Sequence, residues 1–70
     1  MTQKEMVKHL IANSSQALCD DCIAELLGFP QRQTANRHAR DWNAQGKIKR
    51  SPLKEQCDRC KSVKLVNKRF

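Results

Sequence analysis

Apolar residues recur at helical spacing near the start of the chain. A helix over residues 3–13 places four of them on one face: Met6, Val7, Leu10 and Ile11. Positions three and four apart lie on the same side of a helix, so this face is expected to pack into a core. Thr2 and Glu5 stand at the spacing of a capping box, which satisfies backbone N–H groups in the first turn. The pattern predicts a first helix with one buried face.

A second helix is predicted after residues 17–19, a short apolar segment long enough only for a minimal strand. Asp20 and Asp21 stand where carboxylates can accept hydrogen bonds from the free N–H groups of the first turn. We therefore interpret this acid pair as a helix cap and not as a catalytic pair. Gly28 ends the helix, because glycine adopts the left-handed conformation without steric cost. The buried stripe is predicted to contain Ile23, Ala24, Leu26 and Leu27.

The third predicted helix spans residues 31–45, between a rigid corner at Phe29 and Pro30 and a closing Gly46. Its apolar face is predicted to carry Ala35, either His38 or Ala39, and Trp42. Its other face is polar and basic, with Gln33, Asn36, Arg37 and Arg40. No acidic residue interrupts that face before Asp41.

Two β segments follow the helices. Residues 47–51 predict a strand with Ile48 inward and basic residues outward, which Pro52 interrupts. Residues 62–68 predict a second strand. Its inward face is predicted to carry Val63, Leu65 and Asn67. The chain is therefore expected to be one domain, residues 1–70, that is mainly α with a small β-sheet.

The charge of the chain favours a polyanionic partner. Fourteen Lys and Arg residues against seven Asp and Glu residues give a formal net charge of +7, which favours nucleic acid ahead of an anionic membrane. No segment approaches the roughly 18 apolar residues of a membrane span, and no signal peptide is visible, so we expect a cytoplasmic protein with no membrane partner. No serine–histidine–aspartate set, paired-carboxylate site or phosphate loop is present, so no enzyme is expected.

The four cysteines form two pairs with the same spacing, Cys19 with Cys22 and Cys57 with Cys60. A CxxC turn supplies two thiolates from one tight turn, and two such turns can complete a tetrahedral zinc site. A brace of this kind suits a 70-residue chain with only three aromatic residues, because its core must be small. A thiol redox switch, an iron–sulfur cluster, disulfides or inert buried cysteines remain as alternatives.

The predicted order of helix, short strand, helix, helix, strand and strand resembles a winged helix-turn-helix. Residues that match the helix-turn-helix pattern are Ile23, Ala24, Leu27, Gly28 and Phe29. Residues 41–52, DWNAQGKIKRSP, are similar to the junction between recognition helix and wing, and RSPL at 50–53 resembles the small fimbrial phase-variation regulators. An iron-transport accessory family also combines a winged helix with cysteines, but there they cluster in the wing, whereas here they are split.

The resemblance implies three helices with a two- or three-stranded antiparallel wing. In such a fold the short strand after the first helix pairs antiparallel with the last strand. Cys19 should then lie beside Cys60, and the two CxxC pairs should meet in space. Cys19 and Cys22 would stand at the entrance to the second helix, with Cys57 and Cys60 in the wing.

The resemblance also puts the third helix in the recognition position, where Arg can pair with guanine and Asn or Gln with adenine. Lysines and arginines of the wing would contact backbone phosphates, Arg59 and Lys61 among them. The DNA-contacting residues are predicted to be Arg32, Gln33, Asn36, Arg37, Arg40, Lys47, Lys49, Arg50 and Lys54.

These observations together predict a small zinc-containing transcriptional regulator that binds double-stranded DNA. A protein-interaction module is the second possibility, with a basic face that is incidental. A redox or metal sensor that uses the cysteines is the third, and it is compatible with DNA binding. A homodimer and a regulatory protein partner stay open, although no heptad repeat predicts dimerisation.

Overall fold

Three α-helices contain 31 of the 70 residues in the computed structural model, which describes the whole chain. The helices are α1 (Gln3–Ala12), α2 (Asp20–Leu27) and α3 (Arg32–Ala44). The strands are β1 (Leu18–Cys19), β2 (Lys49–Arg50), β3 (Glu55–Gln56), β4 (Val63–Lys64) and β5 (Val66–Lys68). The predicted fold class, three helices with small antiparallel sheets, is confirmed.

β5 is the central strand of a three-stranded antiparallel sheet, with β1 on one side and β2 on the other. Cys19 lies opposite Val66, so the predicted pairing of the short first strand with the last strand is confirmed. β3 and β4 pair with each other in a separate antiparallel sheet. We call residues 55–64, which comprise β3, β4 and the turn between them, the wing hairpin. Its turn contains Cys57 and Cys60.

The predicted last strand is wrong in its extent, because Leu65 divides residues 62–68 into β4 and β5. The division changes which side chains are buried: Val66 is fully buried, whereas Val63 is 64% exposed. The inward placement of Val63 and Leu65 is therefore wrong, since β4 pairs with β3 in the hairpin and only β5 joins the core sheet. Asn67 is buried as predicted.

The helix ends are set by local interactions that the sequence partly indicates. Thr2 caps α1, with its side chain accepting a hydrogen bond from the Glu5 N–H at 3.2 Å. Gly28 ends α2 with a left-handed φ of 72°, as predicted. α3 begins at Arg32, after an N-cap Gln31 whose side chain makes no capping hydrogen bond.

The core lies between the three helices and the three-stranded sheet. Its fully buried apolar side chains include Val7, Ile11, Leu18, Ile23, Ala35, Ala39, Ile48 and Val66. Trp42 closes one edge, where its indole N–H donates to the Lys4 carbonyl at 2.6 Å. Leu26, predicted in the buried stripe of α2, is 46% exposed, so that assignment is wrong. Cys22 and Ile23 instead form the deeply buried part of α2, with Leu27 partly buried against the core.

Candidate metal centre and the basic surface beside it

Four cysteine side chains from two distant segments meet at one point in the fold. Their Sγ atoms all lie within 4.8 Å of one another. The short contacts join the two segments, with 3.7 Å between the sulfurs of Cys19 and Cys60 and 3.6 Å between those of Cys22 and Cys57. The prediction that the two CxxC pairs meet in space is confirmed.

The spacing of the sulfur atoms fits a metal ion with four thiolate ligands. Tetrahedral coordination with metal–sulfur bonds of about 2.3 Å sets sulfur–sulfur separations of about 3.8 Å. The separations of 3.6 and 3.7 Å agree with that geometry. Three of the cysteines are buried, and Cys60 is exposed. The cluster could therefore hold one metal ion, largely shielded from solvent.

Each cysteine pair is held by a tight backbone arrangement. Cys19 ends β1 and is the N-cap of α2, and Cys22 lies in the first turn of that helix. Cys57 begins the turn of the wing hairpin, where its N–H donates to the Ser62 carbonyl at 2.8 Å. The Lys61 N–H donates back to the Cys57 carbonyl at 2.8 Å, and Lys61 has a left-handed φ of 66°.

Hydrogen bonds outside the sulfur cluster also join the two cysteine segments. The Ala17 N–H donates to the Asp58 carboxylate at 2.7 Å, and the Asp58 N–H donates to the Ala17 carbonyl at 2.9 Å. The Cys19 N–H points to the Cys57 sulfur at 3.4 Å. Asp58 was not identified from the sequence, although its place inside the second CxxC turn is the signal that could have indicated it.

The protein environment shifts the pKa values of the four thiols in opposite directions. Burial raises the pKa of Cys19 to about 12 and also raises the pKa of Cys22. Burial acts in the same direction on Cys57, but backbone N–H donors, including that of Cys60, outweigh it and lower the pKa of Cys57 to about 6. The pKa of Cys60 is lowered chiefly by the Ser62 N–H. Metal ions bind cysteine as the thiolate. The N–H donors around the hairpin turn therefore favour the form of Cys57 and Cys60 that can bind a metal.

Two basic side chains compensate negative charge beside the cluster. The Arg59 guanidinium lies 3.2 Å from a Glu25 carboxylate oxygen, and this contact together with the Cys22 sulfur raises the pKa of Arg59. Lys64 forms an ion pair with Asp21, which raises the pKa of its ammonium group. Four thiolates around a divalent ion carry a net charge of about −2. These cations therefore stabilise the cluster electrostatically.

Asp20 is not a helix cap, which corrects the interpretation of the acid pair. The N-cap position is Cys19, and no side-chain capping bond forms there. The Asp20 carboxylate accepts two hydrogen bonds from Arg50, both at 2.9 Å, and one from Asn36 at 2.8 Å. Burial raises the Asp20 pKa, but the Arg50 guanidinium and these amide donors outweigh it and hold the pKa below its usual value. Asp21 likewise makes no cap and pairs instead with Lys64 and Arg32.

Four of the five predicted contact residues of α3 are exposed, whereas Ala35 and Ala39 are buried in the core. Those that are exposed are Arg32, Gln33, Arg37 and Arg40. Asn36 is half-buried, because its amide group is directed at Asp20. Arg32 lies 3.8 Å from an Asp21 carboxylate oxygen, whereas Arg37 and Arg40 form no ion pair.

The predicted contact residues after α3 divide into two groups. Lys47, Lys49 and Lys54 are exposed and form no ion pair. The Arg50 side chain is only 8% exposed, because its guanidinium is directed inward to Asp20 and Asn67. The structure therefore assigns the charge of Arg50 to an internal ion pair.

A cleft of about 430 Å³ lies between the start of α3 and the wing hairpin. Arg32, Gln33 and Asn36 line one side, and Val63, Lys64 and Leu65 line the other, with Lys54 at its edge. Asp20 and Arg50 lie within the same cleft. The predicted recognition helix and the wing hairpin are thus neighbours across one opening.

No family model, curated protein or solved structure matches this chain. The assignment of a function therefore depends on the geometry described above. None of the three helices combines the length and the apolar character needed to cross a membrane.

Proposed function

We propose that the cysteine cluster holds one zinc ion with a structural role. Zinc is commonly bound by four thiolates in a tetrahedron, and structural sites leave no ligand position open. The sulfur spacing of 3.6 and 3.7 Å and the burial of three of the cysteines support such a closed site. An iron–sulfur cluster also takes four cysteines, and metal analysis with an absorption spectrum distinguishes it from zinc.

We further propose that the chain binds double-stranded DNA through α3 and the residues that follow it. The observation that carries this proposal is a group of exposed basic side chains that form no ion pair: Arg37, Arg40, Lys47, Lys49 and Lys54. Five of the seven acidic side chains form ion pairs with other cations, including Asp41, which lies beside Arg37 and Arg40 but pairs with Lys4 at 3.9 Å. Unpaired exposed cations favour binding to phosphates, because counterions are released when they meet the DNA backbone.

The arrangement of the two elements supports contact with a duplex. In helix-turn-helix proteins the second helix of the motif, which corresponds to α3 here, enters the major groove. The wing hairpin borders the cleft beside α3, and the unpaired Lys54 lines the same cleft, so Lys54 would follow the adjacent backbone. We propose a binding role for this domain, as a small transcriptional regulator, and no catalytic one.

The test is a titration of Arg37→Ala on specific and random duplexes across a salt series. If Arg37 pairs with a guanine, affinity should fall by about 1–3 kcal/mol and preference at one base should relax. Arg69→Ala is the matched control, because Arg69 is exposed, forms no ion pair and borders a different part of the surface, beside Ser14 and Ser15. Thermal melts of both variants control for folding.

Lys49→Ala should behave differently in the same titration. A contact to phosphate carries no sequence information, so affinity should fall about equally on all duplexes and the salt slope should decrease by about one unit. If neither Lys49→Ala nor Arg37→Ala changes affinity, the DNA interface is wrong and a protein-interaction role takes its place.

A further inference from the structure

One carboxylate joins four elements of the fold. Asp20, in the first turn of α2, accepts hydrogen bonds from Arg50 on β2 at 2.9 Å and from Asn36 on α3 at 2.8 Å. It also accepts one from Asn67 on β5 at 3.0 Å. The Asp20 and Arg50 side chains are only 13% and 8% exposed, so water competes little for these bonds.

A metal ion at the cysteine cluster would fix the position of this carboxylate. Asp20 directly follows Cys19, and Cys22 lies two residues further along the same helical turn. A residue between two ligands of one cluster has little freedom to move. The bond to Asn36 therefore ties α3 to the same framework that holds the cysteines, while Arg50 and Asn67 tie β2 and β5 to it.

The contact with Asp20 also changes the expected role of Asn36. Pairing with adenine requires the amide nitrogen and oxygen of Asn to face the same base edge. In this structure the Asn36 Nδ2 donates to the Asp20 carboxylate at 2.8 Å. Asn36 lines the cleft, but its amide group is held by Asp20, so we assign it to this internal contact and not to base pairing.

We propose that Asp20 and Asn36 are positioning residues that set the orientation of α3 relative to the three-stranded sheet, and with it the shape of the cleft beside the wing hairpin. This inference rests on the proposed DNA binding for its functional consequence, but not for its structural content. Arg32, Gln33, Arg37 and Arg40 then form the contacting set of α3, and Asn36 aligns them with the basic residues on the other side of the cleft.

The first test needs no DNA. Asn36→Ala in the full-length, zinc-loaded chain removes the link to α3 but leaves the ion pair of Asp20 with Arg50, and alanine suits a helix. Residual dipolar couplings of backbone amides report the orientation of α3 relative to β5. They should change for α3 in Asn36→Ala and stay unchanged in Gln33→Ala, an exposed neighbour on the same helix. Unchanged couplings for α3 would overturn the inference.

The second test measures DNA affinity and separates the inference from the proposed function. Asn36→Ala should weaken binding by about 3- to 10-fold, the effect of one ordinary hydrogen bond. The loss should be equal for duplexes altered at each base position, and the salt slope should be unchanged, since no phosphate contact is lost. A loss confined to one base position would make Asn36 a base-contacting residue and overturn the proposal.

The two tests fail independently. If the wild-type chain binds no duplex, the proposed function is wrong, while the dipolar couplings still decide the positioning role.

Asp20→Asn supplies a second variant, because it keeps the shape of the side chain and removes its charge. A cobalt-substituted protein should keep the absorption spectrum of four thiolate ligands in Asn36→Ala, which shows that the metal centre is intact. Loss of that spectrum would mean that the variant acts through the cluster and would overturn the assignment to α3.

Discussion

At the residue scale, buried polar atoms in this small domain almost all have partners, and His38 is the exception. Its Nδ1 atom is buried without a hydrogen bond. Burial, together with the nearby Arg37 charge, lowers the pKa of His38 below its usual value. A buried ring nitrogen with no partner disfavours the added proton, so the folded state prefers the neutral imidazole.

This preference gives His38 a defined effect on stability. Because its pKa is lower in the folded state than in the unfolded state, the stability that it contributes is complete above about pH 6.5 and is lost as the pH falls toward the folded value. The melting temperature of His38→Gln should therefore fall less between pH 7.5 and 5.5 than that of the wild-type protein. His9→Gln, on the exposed side of α1, is the matched control, and both variants retain the cysteine cluster, whose titration cancels in the comparison.

Residue roles differ in how far the sequence could predict them. The cysteine pairs were recognisable from spacing alone, because thiolate chemistry and a CxxC turn require nothing further from the fold. The role of Asp20 could not be predicted in this way, because its hydrogen-bond partners Asn36, Arg50 and Asn67 lie 16, 30 and 47 positions further along the chain. Arg50 looked like a surface cation for the same reason: only the packed fold brings a buried carboxylate to it.

At the element scale, the helices and the strands near Cys19 and Ile48 followed from local signals, whereas the strands after residue 54 did not follow fully. Periodic apolar residues and Gly28 located α2 closely, since periodicity and a left-handed stop are local properties. The alternation of residues 63–67 breaks at Leu65 and Val66, which are both apolar, and this break coincides with the division between β4 and β5. The sequence does not show which strand pairs with each part, because that depends on the fold. β3 contains only Glu55 and Gln56, both exposed, and has no apolar pattern from which to predict it.

The end of α2 provides a prediction about backbone strain. Gly28 has a φ of 72°, and a Cβ atom built there meets nothing within 4 Å, so conformation and not crowding is the cost of a side chain. Gly28→Ala should lower the free energy of unfolding by about 1 kcal/mol, and Gly28→Asn by less, because Asn tolerates the left-handed region better. Denaturant titration measures both.

A mirror-image residue supplies the control for this prediction. A D-alanine at position 28, introduced by chemical synthesis, favours positive φ and should maintain or raise stability. Equal destabilisation by both alanine enantiomers would contradict the conformational explanation.

At the scale of the whole molecule, the cysteine cluster joins two segments that are far apart along the chain. It ties β1 and α2 to the turn of the wing hairpin, whose own strands are only two residues long and largely exposed. The apolar core is small, and three of its buried residues are cysteines of the cluster: Cys19, Cys22 and Cys57. A metal ion held by the cluster would therefore supply stability that a larger core would otherwise provide.

Loss of one ligand should consequently affect the entire domain. Structural zinc in small domains has an apparent binding free energy of about 10–16 kcal/mol, which is comparable to the total stability of about 5–15 kcal/mol of a folded protein. Cys60→Ser and Cys19→Ser should each release the metal and lower the melting temperature, in the limit to complete unfolding. Metal analysis and circular dichroism measure the two effects.

Cys60→Ser is the sharper variant, because Cys60 is the exposed ligand and its replacement leaves the apolar core intact. If the metal stabilises the fold, wild-type protein treated with a chelator should have the melting temperature of Cys60→Ser. The chelator should not change the melting temperature of the variant itself. Added zinc should restore the wild-type protein and not the variant. A wild-type chain with four free thiols, no bound metal and an unchanged melting temperature would show that the cluster is not a metal site. The hydrogen bonds between Ala17 and Asp58 would then hold the wing hairpin in place without a metal.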